Sequence, residues 1–261
     1  MGRKNKKDKL GRRRERLLSI SSDSSIEDYD QNYNLTLRGL VPRYYNPKTK
    51  NQALFLNALQ SPCSPVVVCH GSAGTGKTLM ACQESIRAFI NKNIESIIIT
   101  RPAVCADENI GFLPGDLDDK MKPFTQPLFD TFEKLIQRNY VEQLFKNNQI
   151  QIIPLAYMRG RTFEHKFIIA DEMQNASIEQ MIMLLTRIGK GSKLVIVGDP
   201  TQCDRNIKQN GQNGLSDLIR RLDNSQGSIK KIQQIKLENK DVQREEVVKE
   251  ILSIVYSDYN K

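Results

Sequence analysis

Four fixed positions in one octapeptide carry the strongest chemistry in this chain. Gly71-Ser72-Ala73-Gly74-Thr75-Gly76-Lys77-Thr78 follows the apolar run Pro65-Val66-Val67-Val68-Cys69 and leads into Leu79-Met80-Ala81-Cys82. It fits G-x-x-x-x-G-K-[ST] throughout, between a strand pattern and a helix pattern. Glycines let the backbone N–H groups of residues 71–76 close around phosphate oxygens, and the start of the following helix adds partial positive charge. Lys77 would then reach the outer phosphates, and the Thr78 hydroxyl would take a Mg²⁺ ion. A chance glycine-rich turn is the plain alternative, and the strand–turn–helix order argues against it.

Two later motifs can complete such a site. Phe167-Ile168-Ile169-Ala170 runs into Asp171-Glu172-Met173-Gln174. An apolar strand there delivers two carboxylates to the carboxyl edge of a sheet, where open α/β folds bind ligands. Asp171 suits a metal beside Thr78, Glu172 suits polarising an attacking water, and Gln174 could sense a terminal phosphate. Acidic residues also favour a helix's first turn, so the pair is weak alone and gains weight from the octapeptide upstream. Leu194-Val195-Ile196-Val197 likewise runs into Gly198-Asp199-Pro200-Thr201-Gln202. Gln202 can donate to a phosphate oxygen there. Away from a nucleotide-binding sheet the same residues would read as a simple turn.

The elements that must hold these motifs alternate. Strands are expected at Pro65–Cys69, Ser96–Thr100, Gln149–Pro154, Phe167–Ala170, Lys193–Val197 and Lys231–Leu237. Helices are expected at Asn51–Leu59, Thr78–Asn91, Pro127–Asn147, Ile178–Ile188, Gly214–Leu222 and Val242–Tyr256. The strands are short continuous apolar runs, which predicts a mostly parallel sheet buried on both faces by flanking helices. The expected class is one α/β domain over 43–261.

Composition narrows the function classes. With 261 residues, 39% of them hydrophobic, the chain can bury one sizeable core. No apolar run approaches the ~18 residues of a membrane span, and no apolar stretch follows the basic start as in a secretory signal. Cys63, Cys69, Cys82, Cys105 and Cys203 lack C-x-x-C spacing and read as free thiols of a reducing compartment. The net charge of +9 is concentrated: residues 1–16 hold nine basic residues against Asp8 and Glu15. Serines, acids and asparagines follow, so residues 1–42 are expected to form a flexible basic arm. It could contact a nucleic-acid backbone or simply solubilise the chain. His70 and His165 stand beside apolar residues and read as structural.

The order of the three motifs resembles superfamily 1 helicase-type ATPase cores, and more closely the PhoH family. Further stretches carry that likeness: Thr100-Arg101-Pro102-Ala103-Val104, Gly111-Phe112-Leu113-Pro114-Gly115-Asp116-Leu117, and Pro154-Leu155-Ala156-Tyr157-Met158-Arg159-Gly160-Arg161-Thr162-Phe163. The resemblance covers roughly residues 43 to 256. It implies a single RecA-like P-loop NTPase domain using ATP and Mg²⁺, with RNA or single-stranded nucleic acid as partner. It also implies a ring-shaped homo-oligomer, such as a hexamer, in the cytoplasm of a bacterial cell or phage-infected host. By the same resemblance Gln52 reads adenine, Arg101, Arg159 and Arg161 make nucleic-acid or coupling contacts, and Arg244 is an arginine finger. From its residue type alone, Gln52 would read as a surface glutamine and each arginine as a solvated charge.

Superfamily 1 helicases use two RecA-like lobes, and this chain has room for one. Either a neighbouring subunit completes the site, or the protein is a slow ATPase that does not translocate; the first favours a homo-oligomer. Three functions fit the residues: a nucleic-acid-coupled ATP hydrolase, a kinase with the same phosphate loop, or a nucleotide-binding interaction module without turnover. Glu172 and Gln202 suit water attack and favour the first.

Overall fold

The structure is a computed structural model that describes residues 39–102, 126–203, 213–225, 229–243 and 247. Most of the arm expected over 1–42 lies outside the described residues, as do Cys105, the 111–117 motif, Arg244 and nearly all of the last expected helix. The elements below belong to one unit, Pro42–Lys261.

Runs of β-branched residues set the strands. The valines of β1 (Val66–Gly71), the isoleucines of β2 (Ser96–Thr100) and those of β4 (Lys166–Ala170) are buried on both pleat faces. β3 (Ile150–Ile152), β5 (Lys193–Gly198) and β6 (Ile232–Leu237) complete a six-stranded sheet in the order β3-β2-β4-β5-β1-β6. Every pairing between these strands is parallel. Continuous rather than alternating apolar runs are what such a doubly covered sheet requires. β6 is an edge strand, and its Gln233 and Lys236 are exposed where the inner strands are buried.

The helices are α1 (Lys50–Gln60), α2 (Lys77–Ile90), α3 (Arg138–Lys146), α4 (Ile178–Leu185) and α5 (Gly214–Asn224), and residues 126–133 are also helical. Thr49, Ser177 and Asn213 cap α1, α4 and α5 through their side chains, Ser177 with Gln180 as a capping box. The expected α/β class with helix-flanked parallel strands is therefore the observed one, a single RecA-like P-loop arrangement.

Three expected elements differ. The helix expected over Pro127–Asn147 breaks after residue 133, and α3 begins at Arg138. Leu135 and Ile136 are both buried there, and the Leu135 carbonyl accepts the Arg43 N–H at 2.6 Å instead of continuing the helix. β3 is shorter than Gln149–Pro154, because Pro154 has no N–H to donate to a ladder. The helix expected from Val242 does not start there. Val242 is extended, and the Gln243 N–H donates to the Gly74 carbonyl at 2.9 Å.

All parallel strands deliver their carboxyl ends to one edge. From β1 the chain travels three places to β2, and it later returns to flank β1 with β5 and β6. The resulting reversal at β1 is the switch point where open α/β sheets hold ligands.

Candidate functional site

The octapeptide leaves β1 and forms a loop that hugs its neighbours. Gly71 has φ 139°, and a Cβ there would sit 1.8 Å from the Leu237 carbonyl oxygen, so no other residue fits beside β6. Gly76 ends the loop at φ 85° and is the N-cap of α2, with no side-chain cap. The first N–H groups of α2 therefore have no side-chain acceptor, which is how a helix start meets an anion.

Lys77 folds back over this loop. Its Nζ donates to the Gly71 and Ser72 carbonyls at 2.7 and 2.8 Å. Burial lowers the pKa of its ammonium from the ordinary lysine range, while Cys69 and the carboxylates of Asp199, Glu172 and Asp171 oppose that shift. The lysine is thus a concealed positive charge with negative groups around it, and phosphate oxygens would replace carbonyls as its acceptors.

Thr78 and Asp171 come together across 93 positions of sequence, the Thr78 hydroxyl donating to Asp171 Oδ1 at 2.9 Å. Asp171 is 2% exposed, and its Oδ2 accepts from Arg101 Nη2 at 2.6 Å and Nε at 3.1 Å. A hydroxyl and a carboxylate side by side next to a phosphate loop are the hard oxygen donors Mg²⁺ takes. These residues fit such a cation, and it would neutralise charge on the phosphates there.

Glu172 follows in the left-handed region at φ 54°, a conformation that costs a side-chain-bearing residue energy and clusters at working sites. Its carboxylate accepts Gln174 Nε2 at 2.6 Å, while Gln174 Oε1 accepts the Asp199 N–H at 3.0 Å. Gln174 is 2% exposed. Its amide bridges the Glu172 carboxylate and the Asp199 N–H, and Gln174 is not among the residues lining the cleft. It orients Glu172 and ties it to the end of β5. Gln202 is exposed on the turn Pro200–Gln202. A cleft of about 290 Å³ is lined by Gly74, Lys77, Thr78, Asp171, Glu172 and Gln202, with Ala73 and Gly76 on the loop wall.

Gln52 is buried, and its Nε2 donates to the carbonyls of Thr75 and Asp241 at 3.1 and 3.3 Å, so an adenine would have to displace one of them. Arg101 joins the site through Asp171. Arg159 and Arg161 are exposed beyond the turn Leu155–Met158, the Arg161 guanidinium resting 4.8 Å from the Phe163 ring centre, and neither lines the cleft. Arg244 lies outside the described residues.

One group escaped sequence reasoning. Asp241, fully buried after β6, accepts Asn51 Nδ2 at 2.8 Å and the Glu238 N–H at 2.7 Å through Oδ2. The Ser72 hydroxyl donates to the neighbouring Asn239 side chain, and Gln52 ties Thr75 to the Asp241 carbonyl. Together they brace the back of the phosphate loop against α1 and the chain after β6. No motif signals this, because each partner is an ordinary polar residue. Asp241→Ala is expected to lower stability by about 2 kcal/mol, since it leaves the part-buried Asn51 amide and Glu238 N–H without their acceptor. A thermal melt would show a midpoint lower by roughly 4–8 °C. An unchanged midpoint would mean water replaces the carboxylate at no cost.

Among the described residues no helix is long and apolar enough to cross a membrane. The family described as PhoH-like protein matches residues 44–256. A PhoH-like protein of Mycobacterium tuberculosis is 40% identical over 87% of this chain and 61% of its own length. One from Bacillus subtilis is 40% identical over 78% of this chain and 62% of its own, and Protein PhoH of Escherichia coli is 36% identical over 67% and 49%. The chain thus spans about half to three-fifths of the length of the curated relatives it matches. With the phosphate loop, the Asp171–Glu172 strand end and the parallel sheet in place, the chain belongs to the PhoH-like protein family, built on a P-loop NTPase fold.

Proposed function

We propose that this chain binds ATP with Mg²⁺ and hydrolyses it, with turnover coupled to RNA or single-stranded nucleic acid. The observation that carries the reading is Glu172. A strained backbone and the Gln174 amide hold its carboxylate on the same cleft as Lys77, Thr78 and Asp171. That is where a base must stand to take a proton from water attacking the terminal phosphate. Lys77 and the start of α2 would carry the phosphate charge, and Gln202 would donate to the terminal group.

The partner side of the reading rests on the family and on exposed charge. Arg159, Arg161 and the basic N-terminal arm are the surfaces proposed to meet a phosphate backbone. A homo-oligomer, a closed ring of six, would let Arg244 of one subunit complete the site of the next. The cytoplasm of a bacterial cell or phage-infected host is the proposed setting.

Phosphate release is expected to occur with ATP and Mg²⁺ alone and to rise when single-stranded RNA is added. The native mass should be a multiple of 29.8 kDa. No release under any condition, with ATP still bound, would instead make the chain a nucleotide-dependent interaction module. A second reading has one observation behind it. A cleft of about 680 Å³, lined by Ser72, Asp199, Thr201, Arg220, Lys236 and Asn239 among others, opens beside the loop and could seat a small acceptor. Phosphate transfer that requires such an acceptor would identify a kinase.

A further inference from the structure

The pairing of Asp171 has a consequence for the order in which metal and nucleotide bind, and it rests on the Mg²⁺–ATP reading above. Both oxygens of this carboxylate are engaged by the protein itself: Oδ1 by the Thr78 hydroxyl, Oδ2 by two nitrogens of Arg101. The register of the sheet builds the contact. Thr100 of β2 pairs with Ala170 of β4, so the next residues, Arg101 and Asp171, leave the sheet side by side. The Asp171 N–H donates to the Thr100 carbonyl at 2.9 Å, and the Leu155 N–H to the Arg101 carbonyl at 3.3 Å, which fastens both backbones. The two side chains are 3% and 22% exposed.

A divalent cation approaching Thr78 therefore meets a carboxylate whose charge is already balanced. Just behind it stands a guanidinium that cannot give up its proton. The guanidinium and the cation are two positive centres beside one carboxylate, and their repulsion offsets part of what Asp171 offers a metal, while Glu172 and Asp199 also line the cleft. The phosphates of a nucleotide bring several negative charges to the same place and reverse that balance. We infer that Arg101 makes metal binding conditional on nucleotide, so that the divalent cation enters with the phosphates and not ahead of them. Arg101 is in this role a positioning residue. It acts on the metal through Asp171.

Mn²⁺ alone, titrated into the full-length, nucleotide-free protein and followed by the loss of its free-ion paramagnetic resonance signal, tests the inference. The wild-type chain should bind it weakly. Arg101→Gln should tighten that binding on the order of 10-fold or more, because one nearby positive charge is gone. Arg101→Lys keeps the charge and should bind as weakly as wild type. Adding Asp171→Asn to Arg101→Gln should remove the gained site. Where the glutamine variant does not fold, as judged by a thermal melt, Arg101→Met keeps the packed stem and serves the same comparison. Equal Mn²⁺ affinity in wild type and the neutral variants overturns the inference, and so does equal tightening in Arg101→Lys. In a parallel equilibrium dialysis with Mn²⁺ present, the wild-type chain should retain ATP on the protein side, and removing Mn²⁺ should weaken that retention. If no ATP is retained, the Mg²⁺–ATP reading fails and takes the inference with it. If ATP is retained while Arg101→Gln remains unaltered without nucleotide, the inference fails alone.

Discussion

Lys77→Ala is expected to abolish nucleotide turnover and weaken ATP binding. The side chain is the fixed positive charge of the cleft, and a single preorganised donor to a phosphate that gains charge is worth on the order of 10²–10³-fold in rate. Lys77 makes its hydrogen bonds to the Gly71 and Ser72 carbonyls, within its own loop. Both carbonyls can turn to water when the ammonium is removed, and Gly71 stays pinned beside Leu237. The variant should therefore keep its fold, with a melting transition close to wild type. Phosphate release and binding of a fluorescent ATP analogue are the measurements. Turnover like that of the wild type would remove the phosphate-loop assignment.

Glu172→Gln separates binding from chemistry. The substitution keeps the length of the side chain, and its amide oxygen can still accept the Gln174 Nε2 hydrogen bond seen at 2.6 Å. What disappears is the charge that would take a proton. ATP affinity should survive within a few-fold, while hydrolysis falls on the order of 10²-fold or more, the scale of a lost general base. A single-turnover measurement with bound ATP distinguishes this from slow product release. Unchanged hydrolysis would mean that another group activates the water. Loss of ATP binding as well would mean that Glu172 supports the loop and not the reaction.

Much of this site is legible in the order of the residues alone. The octapeptide with its flanking strand and helix patterns, and the apolar runs ending in Asp171-Glu172 and in Gly198-Asp199, are contiguous stretches of sequence. Their chemistry depends on local backbone geometry, so reading them needs no knowledge of the fold. The same holds for the parallel class of the sheet, because burial on both faces is written in unbroken runs such as Ile97-Ile98-Ile99. The helix expected over Pro127–Asn147 failed for the opposite reason. Just past its break the Leu135 carbonyl accepts from Arg43, far away in sequence, a contact that no local pattern announces.

The pairings decided only by tertiary structure are those between distant residues with no local mark. Arg101 meets Asp171 because β2 and β4 are neighbours in a particular register, and no pattern in either strand announces that order. Gln174 could have faced the cleft. Its burial against the Asp199 N–H follows from how the end of β4 packs on the end of β5. Asn51 and Asp241, 190 positions apart, brace the loop because β6 lands beside β1. By itself the sequence determined which residues could touch a phosphate, since that chemistry is local. The tertiary structure decided which residues hold them in place, since a support is a contact in space, and strand order creates those contacts.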